Sequence, residues 1–437
     1  MNKHQIEDIL LKIEELIDKY YQMREYVPKG AQRIIRTSDV IFDKQEVLRV
    51  LKVLLDGWIT QGPLVREFEE EFAKYYGVKH AIAVNSGSSA NLVAISALTH
   101  QSLGDRCIRP GDEVITSPVT FPTSVFPIIQ VGAIPVFVDV DPETLCIDPA
   151  KVEEAISDKT RAILPVHLLG HPCDMRRLVR EGYWIIEDAC ESHAAECYNR
   201  KVGTWGDFGT FSFFAAHHMT TGEGGMIITN DDRLADLARS IRAFGRVIDV
   251  AKDPHAAQGL GERYREMYEE LGPFDIRQTY DKLGYSLKLT DLQAALGIEQ
   301  LRKLDKFIEA RRRNAEYLAK ELKAYEGLIQ LPVEKPWARH TYHHFSIIIR
   351  ENAPFSRLDM VNHLERNGIE TRPIEAGNIV DQPCMRGQRF RVVGELKVAR
   401  HIRKNGFFVG CHPGLTREDL DYMVSVFADF LEKYRGA

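Results

Sequence analysis

The chain has 437 residues, which is long enough for two domains and a large buried core. An apolar content of 44% and a charged content of 27% are ordinary for a globular protein. The net charge of −6 and the lack of a long basic run argue against a nucleic-acid-binding surface.

Residues 1–27 predict an amphipathic helix, because apolar residues recur there at helical spacing with charged residues between them. Pro28 and Gly30 would end this helix. This helix would serve either in dimerisation or as an arm docked on its own subunit. We favour both of these roles over the binding of a different protein. We treat residues 1–40 as an extension that precedes two domains.

From about residue 45, helices alternate with short apolar strands, and this pattern predicts βαβ units and a mostly parallel sheet. The predicted helices are Lys44–Asp56, Leu64–Tyr76 and Ser89–Thr99. The predicted strands are Ala81–Val84, Glu113–Ser117, Ile134–Asp139, Ala162–Val166, Trp184–Glu187, Thr210–Phe213 and Gly225–Thr229. We therefore expect a large α/β domain over residues 41–304.

The last third of the chain predicts a second unit. Asp281–Leu304 looks helical and leads into a long predicted helix, Asp305–Tyr325. After it come a predicted strand, Tyr342–Ile349, and two predicted helices, Ser356–Asn367 and Arg417–Tyr434. These elements predict a smaller C-terminal α/β domain over residues 305–437.

The seven cysteines are dispersed and none forms a CxxC pair, so we expect neither a metal site nor a disulfide framework. An odd, dispersed set suits a reducing cytoplasm. Apolar runs stay well short of the ~20 residues of a membrane span. Because acidic residues and lysines interrupt the apolar N-terminal positions, that region does not read as a signal peptide. We expect a cytoplasmic protein without a membrane or nucleic-acid partner.

The first candidate site is the motif Val84-Asn85-Ser86-Gly87-Ser88-Ser89-Ala90-Asn91, where a strand stops and a helix starts. Backbone N–H groups at a helix start face an anion, and the helix dipole favours negative charge there. Ser88 and Ser89 would add hydroxyl donors to a phosphate group. The same residues would equally well form an ordinary helix N-cap.

Two further candidates follow predicted strands. Glu187-Asp188 ends the strand Trp184–Glu187, at the edge where α/β sheets place ligands. A carboxylate there can bind a protonated pyridine nitrogen, although a helix cap or a surface acid would look the same. Phe121 lies in the loop after Glu113–Ser117, where it would stack on a cofactor ring or pack in the core.

The fourth candidate is the segment Phe211-Ser212-Phe213-Phe214-Ala215-Ala216-His217-His218-Met219-Thr220-Thr221-Gly222. Ser212 precedes His217 by five residues and would reach the same phosphate group. No lysine occurs from Val202 to Ala251. A pair of histidines on a loop is commonly an accident of the surface, but the motif around this pair points to a function.

In order and spacing, these motifs resemble the sugar aminotransferases of the DegT/StrS type, which are fold-type I enzymes that depend on vitamin B6. Further similar segments are Gly57-Trp58-Ile59-Thr60-Gln61-Gly62-Pro63, Gly284-Tyr285-Ser286-Leu287-Lys288-Leu289-Thr290-Asp291 and Gln293-Ala294-Ala295. The resemblance implies an aspartate aminotransferase-like fold and a homodimer. It also implies pyridoxal or pyridoxamine 5′-phosphate as the cofactor. In that family, the lysine that tethers the cofactor falls at the position of His217.

The histidine is similar to one branch of the family, the 3-dehydratases that make 3-deoxysugars from CDP-4-keto-6-deoxyglucose or GDP-4-keto-6-deoxymannose. Ala216–Thr220 and Gly368–Arg372 carry this likeness. It implies a cofactor held without a covalent bond and His217 as the base, with His218 beside it. The implied reaction removes the C3 hydroxyl from a nucleotide-linked 4-keto-6-deoxyhexose.

The resemblance also assigns roles to the cofactor-binding residues. Ser88, Ser89 and Ser212, together with Gly87, would hold the phosphate group, Phe121 would stack on the ring, and Asp188 would bind the pyridine nitrogen. Glu191 occupies a position that is usually Gln or His in the aminotransferases. Ser286 replaces an asparagine that commonly reaches the phosphate of the neighbouring subunit.

One departure from the branch concerns iron. The CDP-sugar enzyme carries a [2Fe-2S] cluster, whereas residues 245–284 of this chain contain no cysteine, so we expect no cluster. Glutamate would then restore the amine form of the cofactor. The alternatives are a dehydratase coupled to a separate reductase, an aminotransferase-like protein, and a non-catalytic protein of B6 fold that binds a sugar nucleotide or a partner.

Overall fold

The computed structural model describes residues 3–24, 34–247 and 264–435. The strands are β1 (His80–Val84), β2 (Glu113–Thr116), β3 (Ile134–Phe137), β4 (Thr160–Leu164), β5 (Trp184–Asp188), β6 (Glu196–Cys197), β7 (Arg200–Lys201), β8 (Phe208–Ser212), β9 (Gly225–Thr229), β10 (Tyr264–Glu266), β11 (Pro273–Asp275), β12 (Ile329–Gln330), β13 (Ala338–Arg339), β14 (Phe345–Ile349), β15 (Arg372–Pro373), β16 (Arg391–Val392) and β17 (Gly406–Val409).

The α-helices of the described residues follow in chain order. They are α1 (Lys3–Arg24), α2 (Lys44–Asp56), α3 (Pro63–Tyr76), α4 (Gly87–Leu98), α5 (Pro122–Gln130), α6 (Pro149–Ala155), α7 (Met175–Leu178), α8 (Asp232–Arg242), α9 (Asp291–Leu322), α10 (Arg357–Arg366), α11 (Lys397–Asn405) and α12 (Arg417–Leu431).

The main sheet has eight strands in the order β1-β9-β8-β5-β4-β2-β3-β16. Neighbouring strands from β8 to β16 are parallel, and β9 runs antiparallel to β1 and to β8. Every residue of β2, β5, β8 and β9 is buried. Burial along the whole strand is typical of strands that lie between two helix layers.

Side chains that alternate along β1 enter two different cores. Ile82 and Val84 pack in a core with α4, α5 and α8, whereas Ala81 and Ala83 pack in a core with α3 and α9. Successive side chains of a strand point to opposite faces, so the sheet lies between these helix layers. The predicted α/β class and the mostly parallel sheet are confirmed.

A second sheet of four antiparallel strands, β12-β14-β17-β15, forms the core of the C-terminal unit. The helices α10 and α12 pack on it, together with the second half of α9. Ile35, from the segment before α2, also belongs to this core and pairs with Ile369.

The predicted helix over Asp281–Leu304 was wrong in its first third. Ser286 forms a β-bridge with Ala243, and Leu287 donates its N–H to the Arg242 carbonyl at 3.0 Å. The helix begins only at Asp291, where the Thr290 side chain caps it in a capping box with Gln293.

The proposed domain limits remain a prediction. The helix α9 continues without a break through residue 304, where we placed the boundary. The strand β16, from the C-terminal part of the chain, pairs with β3 of the main sheet.

The N-terminal helix lies against its own chain. Lys44, at the start of α2, donates to Asp18 of α1 at 2.9 Å and lies 3.5 Å from Glu14. This contact agrees with the docked-arm interpretation. Residues 1–2 and 25–27 of the predicted helix lie outside the described residues. Within the ranges described here, no helix is long and apolar enough to cross a membrane.

We expect Asp291→Ala to destabilise the fold, because Asp291 joins α9 to the N-terminus of α3. Its carboxylate is buried and accepts the N–H groups of Gly62 at 2.8 Å, Val65 at 3.0 Å and Leu64 at 3.2 Å. The loss should lower the free energy of unfolding by about 2–4 kcal/mol in a urea titration. Asp291→Asn should cost less, since it keeps one acceptor. An unchanged midpoint in Asp291→Ala would contradict this role.

Candidate functional site

A cavity of about 610 Å³ opens where β5, β8 and the start of α4 meet. Seven of the ten predicted site residues line it, and they come from four separate parts of the chain: Gly87, Ser88, Phe121, Asp188, Glu191, Ser212 and His217. The C-terminal unit closes another side with His343 and His344, which precede β14, and with residues in and near β15 and β17. The structure therefore brings most of the predicted site together.

The N-terminus of α4 forms one wall of the cavity. Ser86 is the N-cap, since its Oγ accepts the Ser89 N–H at 3.1 Å. Ser88 faces the cavity and donates its hydroxyl to Thr123 at 2.9 Å. The N-cap interpretation of this motif is confirmed. The positive end of the helix dipole also meets the cavity, as a phosphate group requires, and phosphate binding stays a prediction.

Gly87 permits a close approach that any other residue would block. A Cβ atom at this position would lie 2.5 Å from the Ser212 Cβ and 2.9 Å from the Cys190 Sγ. The start of α4 therefore packs directly on the ends of β5 and β8. This packing places the first turn of the helix beside the Ser212 hydroxyl, which would otherwise be out of reach.

Asp188 presents a fixed carboxylate at the end of β5. Its Oδ2 accepts the Asn91 amide at 2.8 Å and the Ser124 hydroxyl at 2.7 Å, and its Oδ1 accepts the Cys190 N–H at 3.2 Å. The residue is 4% exposed, so it is neither a surface acid nor a helix cap. Over the residues that the structure describes, no cation pairs with this buried carboxylate, so it suits the protonated nitrogen of a pyridine ring.

Glu187, next to Asp188, has a structural task. Its side chain points to the opposite face of β5, because side chains alternate along a strand. There it accepts the N–H groups of Gly203 at 2.8 Å, Trp205 at 2.6 Å and Gly206 at 2.8 Å. It does not line the cavity.

His217 lies in the cavity wall and carries a neutral imidazole. Burial, together with the nearby His193 and Arg311, lowers the pKa of His217 to about 3. Its ring stacks on His343, with 4.7 Å between the ring centroids. Among the described residues, its buried Nδ1 has no hydrogen-bond partner. At neutral pH this ring can accept a proton from a ligand in the cavity.

Arg311 holds the histidines in place, and no carboxylate in the described part of the chain forms an ion pair with it. Its guanidinium is buried and donates to the carbonyl oxygens of His343 at 2.7 Å and His217 at 3.4 Å. Burial lowers the pKa of Arg311 and also the pKa values of His218, His343 and His344, with Arg311 as a further cause for each histidine. The positive charge therefore discourages protonation of every ring around it.

Sequence reasoning missed Arg311 and His343, and a signal existed for the first. Arg311 lies on the apolar stripe of α9, between Ile308 and Ala315. A charged residue is unusual on the buried face of a helix, so it indicates a specific role. Asn91 was also missed, although it lies one helical turn after Gly87 in a motif that the sequence singled out.

Three predicted site residues do not line the cavity. The Ser89 hydroxyl donates to the Asn85 side chain at 2.6 Å, within the cap. His218 is buried beneath the loop, where its Nε2 contacts the Thr341 carbonyl at 3.1 Å. Ser286 is exposed and belongs to the bridge with Ala243. Their roles at the cofactor stay predictions.

The remaining two residues, Phe121 and Glu191, face the cavity. The Phe121 side chain is 54% exposed, so it does not pack in the core. Glu191 is buried, and its Oε2 accepts the Leu169 N–H at 2.8 Å. Burial and the neighbouring Glu375 raise the pKa of Glu191 well above its usual range.

The residues present fit a phosphorylated pyridine cofactor. The cavity offers a helix N-terminus for the phosphate, a buried carboxylate for the ring nitrogen and an exposed aromatic ring. Among the described residues, no lysine lines it. Together with the doubly covered sheet, this arrangement defines a fold-type I enzyme that depends on vitamin B6. The profile of the DegT/DnrJ/EryC1/StrS aminotransferase family matches residues 40–428, and the chain belongs to this family.

Known proteins similar to this chain agree with that assignment. The lipopolysaccharide biosynthesis protein RfbH of Salmonella typhimurium is 39% identical, over 91% of this chain and 92% of its own. The dTDP-4-dehydro-2,6-dideoxy-D-glucose 3-dehydratase of Saccharopolyspora spinosa is also 39% identical, over 91% and 87%.

A solved structure bears on the cofactor. A GDP-4-keto-6-deoxymannose-3-dehydratase with a trapped PLP-glutamate geminal diamine superposes with a TM-score of 0.81 at 33% identity, over 90% of this chain and 100% of that chain. Pyridoxal or pyridoxamine 5′-phosphate is therefore the cofactor of this protein.

We expect Gly87→Ala to weaken cofactor binding at least about tenfold, because its methyl group would force α4 away from Ser212. Titration of the apoprotein with pyridoxal 5′-phosphate, followed by fluorescence, measures this effect. Ala90→Gly, three residues on in the same helix, controls for a general loss of helix stability. Equal affinity in Gly87→Ala and the parent would show that the close contact has no part in binding.

Acid should unfold the protein through its buried histidines. The pKa values of His193 and His412 are lowered to about 4 and that of His217 to about 3, in each case mainly by burial. At acidic pH the unfolded chain therefore binds protons that the native state does not bind. The stability that these histidines contribute is complete above pH ~6.5 and is lost as the pH falls towards 4.

Each such histidine should remove up to about 1.4 kcal/mol of unfolding free energy per pH unit in that window. Urea titrations at pH 7, 6 and 5 measure the slope, and His193→Asn should reduce it. A stability that stays constant from pH 7 to pH 5 would contradict the buried, neutral state of these rings.

Proposed function

We propose that this protein is a pyridoxamine phosphate-dependent 3-dehydratase. Its substrate would be a nucleotide-linked 4-keto-6-deoxyhexose, which loses its C3 hydroxyl in the biosynthesis of a deoxysugar such as those of lipopolysaccharide. The observation that carries the proposal is the neutral His217 imidazole in the cavity wall, at the position where the family carries its tethering lysine.

Different cavity residues would bind different parts of the cofactor. Gly87, Ser88 and Ser212 would hold the phosphate group at the start of α4, Phe121 would cover the ring, and Asp188 would keep the pyridine nitrogen protonated. When bound, the cofactor supplies an amine that joins the substrate ketone and a charged ring that accepts electrons.

His217 would take the proton from the aminomethyl carbon next to the ring. The imidazole lines the cavity and its Nδ1 has no hydrogen-bond partner among the described residues, so this ring nitrogen is available to accept the proton. Once charged, it lies beside the buried guanidinium of Arg311, and this repulsion favours release of the proton. A lysine at this place would instead form a covalent link with the cofactor and favour transamination.

Two features of the relatives support the proposal, and one favours an alternative. A relative and a structural neighbour are named as 3-dehydratases, although of dTDP- and GDP-linked sugars respectively. The family name favours an aminotransferase as the second candidate. Mass analysis of the product separates the two, because dehydration leaves a 3-deoxy-4-ketosugar and transamination leaves an amino sugar.

Glutamate would restore the amine form of the cofactor, and the glutamate adduct of the neighbour structure supports this choice. A dehydratase coupled to a separate reductase would instead turn over without glutamate. We further propose a homodimer in the cytoplasm, in which Ser286 reaches the site of the neighbouring subunit. The seven free cysteines are consistent with a reducing compartment.

We expect His217→Asn to abolish deoxygenation and to slow the loss of deuterium from dideuterated pyridoxamine phosphate at least about 100-fold, because it removes the base. The assay combines the protein with the labelled cofactor, glutamate and each candidate 4-ketosugar nucleotide, and follows both products by mass spectrometry. Cofactor affinity should stay within a few-fold. Retention of deuterium loss in the variant would show that another group takes the proton.

A further inference from the structure

The cavity holds two carboxyl groups that have no catalytic task in the reaction proposed so far. Glu191 and Glu375 both line it, and each side chain is close enough to affect the ionisation of the other. Asp188 lies close enough to act on both electrostatically. In the part of the chain that the structure describes, no lysine, arginine or histidine forms an ion pair with either glutamate.

The backbone that positions these two glutamates is strained at two residues. Glu375 has a φ of 42° and Leu169, whose N–H donates to Glu191, has a φ of 52°. Residues other than glycine rarely adopt the left-handed region, and such strain persists where the surroundings determine the conformation. The two carboxyl groups are thus brought together by specific local structure on two different segments.

Two adjacent carboxyl groups without a cation cannot both ionise, so they share one proton. Burial is the first cause that raises the pKa of each, and the neighbouring Glu375 raises the pKa of Glu191 further. In the same cavity, burial lowers the pKa of His217. Groups whose environments drive their pKa values apart identify an acid and a base.

We propose that the Glu191–Glu375 pair is the general acid that protonates the C3 hydroxyl of the substrate as it leaves, and that His217 serves as the base alone. This inference rests on the proposed function. In this scheme the carboxyl pair, and not the His217 imidazole, supplies the proton that turns the leaving hydroxyl into water.

Bonds and protons balance in this step. His217 accepts the proton from the aminomethyl carbon, and the electron pair of that C–H bond enters the conjugated system. The C3–O bond breaks, and its electron pair leaves with the oxygen. The shared proton of the carboxyl pair bonds to this oxygen, so that water departs. The proton on His217 or a proton from solvent then restores the pair.

Infrared spectroscopy of the apoprotein tests the shared proton without any turnover. Wild type should show the carbonyl band of a protonated carboxylic acid that shifts in deuterium oxide. Glu375→Gln and Glu191→Gln should each shift or remove this band, because each variant replaces one of the two groups that share the proton. Exposed Glu181 offers the matched control, since Glu181→Gln should keep the band. A wild-type protein without the band would overturn the inference.

The two proton transfers are then measured separately in the same variants. Glu375→Gln should reduce deoxygenation by at least about 100-fold, as expected for the loss of a general acid. Loss of deuterium from the labelled cofactor, which reports on His217, should stay within a few-fold of wild type. An equal fall in both rates would overturn the acid role in favour of a positioning role, and unchanged deoxygenation would overturn it as well.

These measurements separate the acid role from the proposed function. If wild type shows the carboxyl band but removes no C3 hydroxyl from any 4-ketosugar nucleotide, the proposed function fails and takes the acid role with it. If wild type deoxygenates the sugar without a protonated carboxyl band, only the acid role fails.

Discussion

The site depends on a buried positive charge that no carboxylate of the described residues pairs with. Arg311 donates to the main-chain carbonyl oxygens of His217 and His343, so it fixes both residues while leaving its full charge in the protein interior. That charge, added to burial, keeps the surrounding imidazoles unprotonated. A lysine amine at His217 would have to be desolvated beside the same charge. The chain instead places there a side chain that is neutral at rest and ionises only for as long as it holds a proton.

The fold supplies this arrangement through contacts between distant segments. The parallel strand β5 delivers Asp188 to the edge where the start of α4 also arrives, and Gly87 lets the two approach within van der Waals distance. The long helix α9 spans both units and carries Arg311 under the loop that follows β8. His217, Glu191 and Glu375 therefore line a single cavity, which suits a reaction that removes one proton and delivers another.

Much of this could be predicted from the sequence, and the reasons are local. Strand ends and helix starts recur at fixed offsets in α/β units, so Gly87, Ser88, Asp188 and Ser212 could be placed together from their positions in the chain. Contacts between segments far apart in the chain leave no such periodic trace. Arg311 reaches His217 across 94 positions, and Glu375 meets Glu191 from another unit. The helix expected from Asp281 failed for a similar reason, because pairing with Ala243 overrides the local preference of those residues.

One measurement tests the central claim most directly, namely the intact mass of the protein after incubation with pyridoxal 5′-phosphate and reduction with borohydride. Reduction makes any imine link to a protein amine permanent. Since the residue at the site is an imidazole, the wild-type chain should keep its own mass once free cofactor is removed, while His217→Lys should gain one reduced cofactor. A wild-type protein that carries one stoichiometric adduct, mapped by peptide digestion to a lysine at this cavity, would contradict the account.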